Sequence, residues 1–155
     1  MKNKNIEIYT DGSSLGNPGP GGWGVVIISN EKPNHEFIEL GGGEKDTTNN
    51  RMELQAVIEA VRYINENCKE SIVTINADSA YVLGGVTNWV FGWEKNGWKT
   101  SKKEPVLNQD LWKELISLVR NFDGEIIWKK VKGHSGVEYN EKADEIATSY
   151  AAKQK

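Results

Sequence analysis

Ile6-Glu-Ile-Tyr-Thr-Asp-Gly-Ser-Ser14 sets Ile6, Ile8 and Thr10 in alternation with Glu7, Tyr9 and Asp11, and closes on Gly12 and two serines. A period of two marks a β-strand with one face buried. The reading places Asp11 on the tip of that strand, with Gly12 ending it. A carboxylate in that position does little chemistry alone, so what matters is which other acids the fold brings to it. Glu53, Asp78 and Asp144 are the candidates.

Working outward, residues 15–22 are rich in glycine and proline and read as a turn. Trp23 to Ser29 is a nearly continuous apolar strand, residues 31–34 a turn, and Glu36 to Gly42 a third strand. Three strands joined by short turns make an antiparallel meander. From Asn49 to Asn67 the period changes: Val57, Ala60, Val61 and Ile64 form a stripe at helical spacing, so this helix packs on the sheet. Glu53, four residues before Val57, falls on the same stripe. A capping box, with Asn50 as the cap and Glu53 reaching back to it, is the competing explanation.

Ser71 to Asp78 is a fourth strand, again stopping on an aspartate. A strand–helix–strand crossover puts its two strands parallel in one sheet. If they are neighbours, Asp11 and Asp78 stand about 5 Å apart at one edge. Two ionised carboxylates that close, with Glu53 over them, repel and raise one another's pKa, and a cation resolves the conflict.

A short helix, Ser79 to Leu83, is expected to end at Gly84-Gly85. Residues 87–100 carry Trp89, Trp93 and Trp98, and the plain structural reading is a helix pair with Trp89 and Trp112 in the core. Asn108 to Asn121 is a helix with Leu111, Trp112, Leu115, Ile116 and Val119 inward, and Glu125 to Val131 the fifth strand. A glycine-flanked loop then holds His134. The last helix opens near Asn140 with the stripe Ala143, Ile146, Ala147 and Tyr150, and Asp144 beside it can face the sheet edge or water.

The length of 155 residues fits one α/β domain, 1–155, with no repeats or linkers. A net charge of -3 argues mildly against a nucleic-acid partner, but four of the six tryptophans, at 89, 93, 98 and 112, lie in or beside a lysine-containing segment. The single cysteine, Cys68, excludes an internal disulfide framework and reads as incidental in a polar stretch. Without a bilayer-length apolar run or a signal-like leader, the expectation is a soluble, cytoplasmic monomer with no membrane partner.

Taken together, Thr10-Asp-Gly-Ser13, Asn17-Pro-Gly-Pro-Gly-Gly22, Thr47-Thr-Asn-Asn-Arg-Met-Glu-Leu54, Ala77-Asp-Ser79, Gly97-Trp-Lys-Thr100, Asn108, Asp110-Leu-Trp112, Val131-Lys-Gly-His134, Asn140 and Asp144 resemble bacterial type 1 ribonuclease H in the same order over essentially the whole chain. The resemblance implies a ribonuclease H-like α/β fold, a five-stranded mixed sheet of three antiparallel then two parallel strands with helices on both faces. It also implies hydrolysis of the RNA strand of an RNA/DNA hybrid with two Mg²⁺ ions, Mn²⁺ substituting, to leave 5′-phosphate and 3′-hydroxyl ends. Asp11, Glu53, Asp78 and Asp144 match the family's catalytic, metal-holding carboxylates, with Asp11 assigned as the bridge, and His134 matches its loop histidine, assigned to proton transfer or product departure. Gly12, Ser13, Asn17, Asn49 and Asn50 resemble its groove contacts, Tyr81, Trp89 and Trp93 its DNA channel, and Thr48 and Asn108 its phosphate pocket.

The sequence departs from the common bacterial pattern at Ala80, where an amide is usual, at Asp46, often basic, and at Glu94 and Asn96, which dilute a basic arm. These suggest looser hybrid binding. Two rivals are a DNA-acting nuclease or transposase-type enzyme of the same fold and a hybrid-binding module without chemistry. Neither accounts for the asparagine-rich helix start together with four intact acids.

Overall fold

In the computed structural model, which describes residues 4–29, 37–131 and 138–155, the alternating stretch becomes β1 (Asn5–Ser14), the middle strand of a sheet ordered β3-β2-β1-β4-β5. β2 (Gly19–Ser29) and β3 (Phe37–Thr47) are antiparallel to their neighbours, and β4 (Ile72–Ala77) and β5 (Glu125–Lys130) run parallel to β1. This is the mixed sheet expected. Alternation sorts the side chains of β1 between two layers. Ile6 and Ile8 join Leu54, Val57, Val61 and Ile64 of α1 (Asn49–Asn67) in the larger core, while Tyr9 packs with Val26, Ile28 and Ala143 on the other face. α5 (Glu138–Lys153) covers that second face.

Several boundaries differ from the sequence reading, and packing explains them. β1 does not stop at Asp11: Gly12 pairs with Trp23 and Ser14 with Gly21, and β2 starts at Gly19 rather than Trp23. The glycines there are contact surface. A Cβ on Gly22 or Gly24 would overlap the carbonyl oxygens of Ala147 and Ala143, so α5 lies directly on the β2 backbone. β3 likewise continues past Gly42 to Thr47, which pairs with Gly19. The expected turn at 31–34 lies outside the described residues.

Gly84-Gly85 does not end the helix after β4. α2 (Ala80–Gly84) runs through a π-helical turn (Gly85–Trp89) into α3 (Val90–Lys95). A Cβ on Gly85 would strike the indole of Trp112, so the glycine makes room for that ring. Trp112, on α4 (Gln109–Asn121), is wholly buried as anticipated, but Trp89 is 43% exposed and is not a core residue. Cys68 is also not incidental. It is wholly buried in the main core, and its N–H closes α1 on the Ile64 carbonyl at 2.9 Å.

Candidate active site

The ladder between β1 and β4 ends at Thr10 opposite Ala77, while β1 runs on beside β2. Asp11 therefore borders a gap at the carboxyl ends of two parallel strands, where open α/β sheets form their ligand crevices. Asp78, the first residue after β4, stands at the same edge. Glu53 reaches it from α1 and Asp144 from α5, one helix on each face of the sheet.

Glu53 is not part of a capping box. The helix is capped by Thr48, whose hydroxyl accepts from the Arg51 N–H at 3.2 Å, and Asn50 is exposed. The Glu53 carboxylate instead accepts from the N–H of Gly12, which also lies 2.9 Å from Asp11 Oδ1. A Cβ on Gly12 would overlap the backbone of Met52 and Glu53, so only glycine lets α1 come this close to β1.

Asp11, Glu53 and Asp78 each offer an oxygen, and these oxygens all lie within 4.8 Å of one another. Asp144 lines the same cavity as Asp11 and acts on its pKa, which answers the question its spacing left open: it faces the sheet edge. The four acids line a cavity of about 390 Å³ together with Gly12, Ser13, Asn49 and Ser79. Asp11 and Glu53 are only 7% and 6% exposed. Burial first, and then the charges of Asp78 and Asp144, push Asp11 up to about 7, against the pull of its hydrogen bond with Glu53. Glu53 is raised well above the usual carboxylate range, by burial first and then by its bond to Asp11. Both shifts disfavour a second negative charge in the pair, and a divalent cation would offset that charge. The donor set fits such an ion: carboxylate oxygens are hard ligands of the kind Mg²⁺ takes, and no cysteine or histidine joins the cluster among the described residues.

Beside the cavity, Asn17 Oδ1 accepts from the N–H of Asn49 at 3.1 Å, which ties the β1–β2 turn to the start of α1. Farther out, Tyr81 and Asn108 form one network. The Tyr81 hydroxyl accepts from Asn108 Nδ2 at 3.1 Å and from Trp112 Nε1 at 3.0 Å, and Asn108 Oδ1 accepts from Arg51 at 3.2 Å. Trp89 stands 6.2 Å from Tyr81 and 6.1 Å from Trp93, ring to ring. His134 lies outside the described residues.

Two residues escaped the sequence reading. Ser79 lines the cavity and caps α2, accepting from the Val82 N–H at 3.1 Å, and a serine directly after a strand-end aspartate was the available signal. Arg51 joins Asn108 to Asp110, which it meets with both guanidinium nitrogens at 3.1 and 2.8 Å. It sits inside the helix-start motif, but nothing local pairs it with an acid 59 residues away.

The RNase H family model matches residues 3–152. Among curated proteins, the chain is similar to ribonuclease H of Novosphingobium aromaticivorans, 49% identical over 96% of this chain and 97% of that one. It is also similar to ribonuclease HI of Neisseria meningitidis serogroup B, 50% identical over 97% of both. Among solved structures it resembles LC9-RNase H1, a type 1 RNase H with the type 2 active-site motif, at a TM-score of 0.87 and 33% identity over 100% of this chain and 75% of that one. LC11-RNase H1 in complex with RNA/DNA hybrid matches at a TM-score of 0.69 and 27% identity, over 96% and 97% of the two chains.

Proposed function

We propose, from the premise that this chain belongs to the ribonuclease H family, that Asp11, Glu53, Asp78 and Asp144 hold two Mg²⁺ ions on which cleavage of hybrid RNA depends. The protein is an endoribonuclease that hydrolyses the RNA strand of RNA/DNA hybrids, and its family is dependent on divalent metal. The observation that carries the metal assignment is the convergence of three carboxylates from β1, α1 and the end of β4 to within 4.8 Å.

Bound there, paired Mg²⁺ ions would supply an activated water and stabilise the leaving 3′-alkoxide, giving 5′-phosphate and 3′-hydroxyl ends. The chain's own residues do the positioning. Asp11 would serve both ions, Glu53 and Asp78 one of them and Asp144 the other, and Gly12 aims Glu53 through its N–H. The wide minor groove of a hybrid presents the 2′-hydroxyls that distinguish RNA. Gly12, Ser13 and Asn49 at the cavity, with Asn17 bonded to Asn49 and Asn50 next in the chain, would contact that groove. Tyr81, Trp89 and Trp93 would carry the DNA strand, and Thr48 and Asn108 would meet a phosphate. The exposed lysines 95, 99, 102 and 103 add attraction that weakens with salt. His134 takes or gives a proton during turnover or product departure, so His134→Ala slows the reaction without abolishing it.

We place the enzyme in the cytoplasm as a monomer of one domain. No helix among the described residues is long and apolar enough to cross a membrane. The test is end-labelled hybrid incubated with and without Mg²⁺, beside a DNA duplex of the same sequence. Metal-dependent cutting confined to the RNA strand is expected. Equal cutting of duplex DNA, or none of hybrid, overturns the reading.

A further inference from the structure

Glu94 puts a negative charge in the tryptophan-bearing arm, and in the sequence it counts as a loss of attraction for nucleic acid. The structure gives that charge a partner. Arg120, from α4, meets both carboxylate oxygens of Glu94 at 2.7 and 2.6 Å. The pair spans a groove of about 560 Å³ between the arm and α4, lined in part by Trp98 and Lys113. A second tie crosses the same groove, the Lys113 ammonium standing 5.4 Å from the centre of the Trp98 ring.

The position of Glu94 makes this pair consequential. α3 is the last six residues of the helical run that passes from α2 through the π-helical turn, and Glu94 lies one residue from its end, where helices fray unless something ties them. Glu94 follows Trp93, whose ring meets that of Trp112 edge-on at 5.4 Å and stands 6.1 Å from both Trp89 and Trp98. A guanidinium gripping a carboxylate at two points fixes direction as well as distance. Turning α3 about its axis would break the pair and carry Trp93 with it, along with Trp89 at the end of the π-helical turn that leads into α3. The carboxyl of Glu94 is held below the usual carboxylate range by its hydrogen bonds to Arg120, so the pair stays ionised.

We infer that Glu94 and Arg120 are positioning residues, a latch that sets the tryptophan arm at the angle at which it receives the DNA strand. The inference rests on the arm being the DNA-strand contact of the proposed ribonuclease H reading. It opposes the simpler view that Glu94 repels the substrate, and the two views differ in sign.

The experiment measures the Kd for hybrid in metal-free buffer and KM and kcat with Mg²⁺, for wild type, Glu94→Ala, Arg120→Ala, the double variant and the charge-swapped Glu94→Arg/Arg120→Glu. Circular dichroism melting confirms that each is folded. With a latch, both single variants raise Kd and KM by roughly two- to fivefold, and kcat stays near wild type. The double variant is then no worse than either single one, and the charge swap restores affinity. Tighter binding by Glu94→Ala, unchanged affinity in both single variants, or additive losses overturn the latch. A wild type that binds hybrid without cutting it removes the nuclease reading, while the Kd series still judges the latch.

Discussion

Asp11 is where the demands of folding and function collide. A carboxyl at 7% exposure, with Glu53, Asp78 and Asp144 around it, is a poor place for a negative charge unless a cation shares it. Its pKa is raised in the fold from 3.8 to about 7. Between those values the native protein binds more protons than the unfolded chain, so its metal-free stability falls as pH rises. Asp11→Asn removes that dependence. At pH 8 the metal-free variant should be more stable than wild type by about 1–3 kcal/mol, with the gap closing toward pH 4, while Mg²⁺-dependent cleavage of hybrid is lost. Urea denaturation across that range, paired with a cleavage assay, checks both; a gap that widens on acidification contradicts the argument. Gly12 is the second pressure point. Gly12→Ala drives a methyl into the start of α1 and should cost about 1–3 kcal/mol, with turnover falling because Glu53 is moved away from Asp11. Full activity in this variant would show that the contact between β1 and α1 does not set the site. Asp11, Glu53 and Asp78 were legible in the sequence because a strand period and a helix stripe each fix a direction. The role of Gly12 was not, because a glycine gives the same signal whether it breaks a strand or admits a neighbour.

At the scale of elements the same ambiguity recurs. The glycines of β2 and Gly84-Gly85 read as breaks, and both elements run straight through them, since α5 lies on the one and the Trp112 ring against the other. Lengths were therefore misjudged where a glycine lets another backbone or a ring come directly against the chain, and judged well where side chains fill the gap, as along α1. The seating of α5 on β2 is also what turns Asp144 toward Asp11, a fact no spacing within α5 contains. The junction of α2 with α4 depends instead on one hydroxyl. Tyr81 is the acceptor for the indole N–H of the wholly buried Trp112 and for Asn108, a residue with φ of 61° that precedes α4. Tyr81→Phe leaves a buried donor unpaired, which should cost about 1–3 kcal/mol. It also leaves the Asn108 side chain bonded, among the described residues, only to Arg51, so KM for hybrid should rise more than kcat falls. Thermal melting and steady-state kinetics read the two effects separately, and an unchanged melting temperature would mean that the indole had found another acceptor.

Across the whole molecule, the crossover from β1 through α1 to β4 is the step that made the site predictable. A connection of this kind usually pairs its two strands parallel, and here it brings Asp11 and Asp78 to one edge from positions 67 residues apart in the chain. The cost of that convergence falls on the fold as a whole, because the buried Asp11 and Glu53 oppose folding when ionised until a cation arrives. Mg²⁺ should therefore act as a stabilising ligand of the native state. At a free concentration of 100 times its Kd the gain is about 2.7 kcal/mol, or a rise in melting temperature of roughly 5–10 °C for a chain of this size. The rise should shrink as pH falls from 8 toward 5, since protons compete for the same oxygens, and it should be absent in Asp11→Asn. Differential scanning calorimetry of both proteins over a Mg²⁺ series makes the comparison directly. An equal rise in the two would mean that the ion binds somewhere other than the carboxylate cluster.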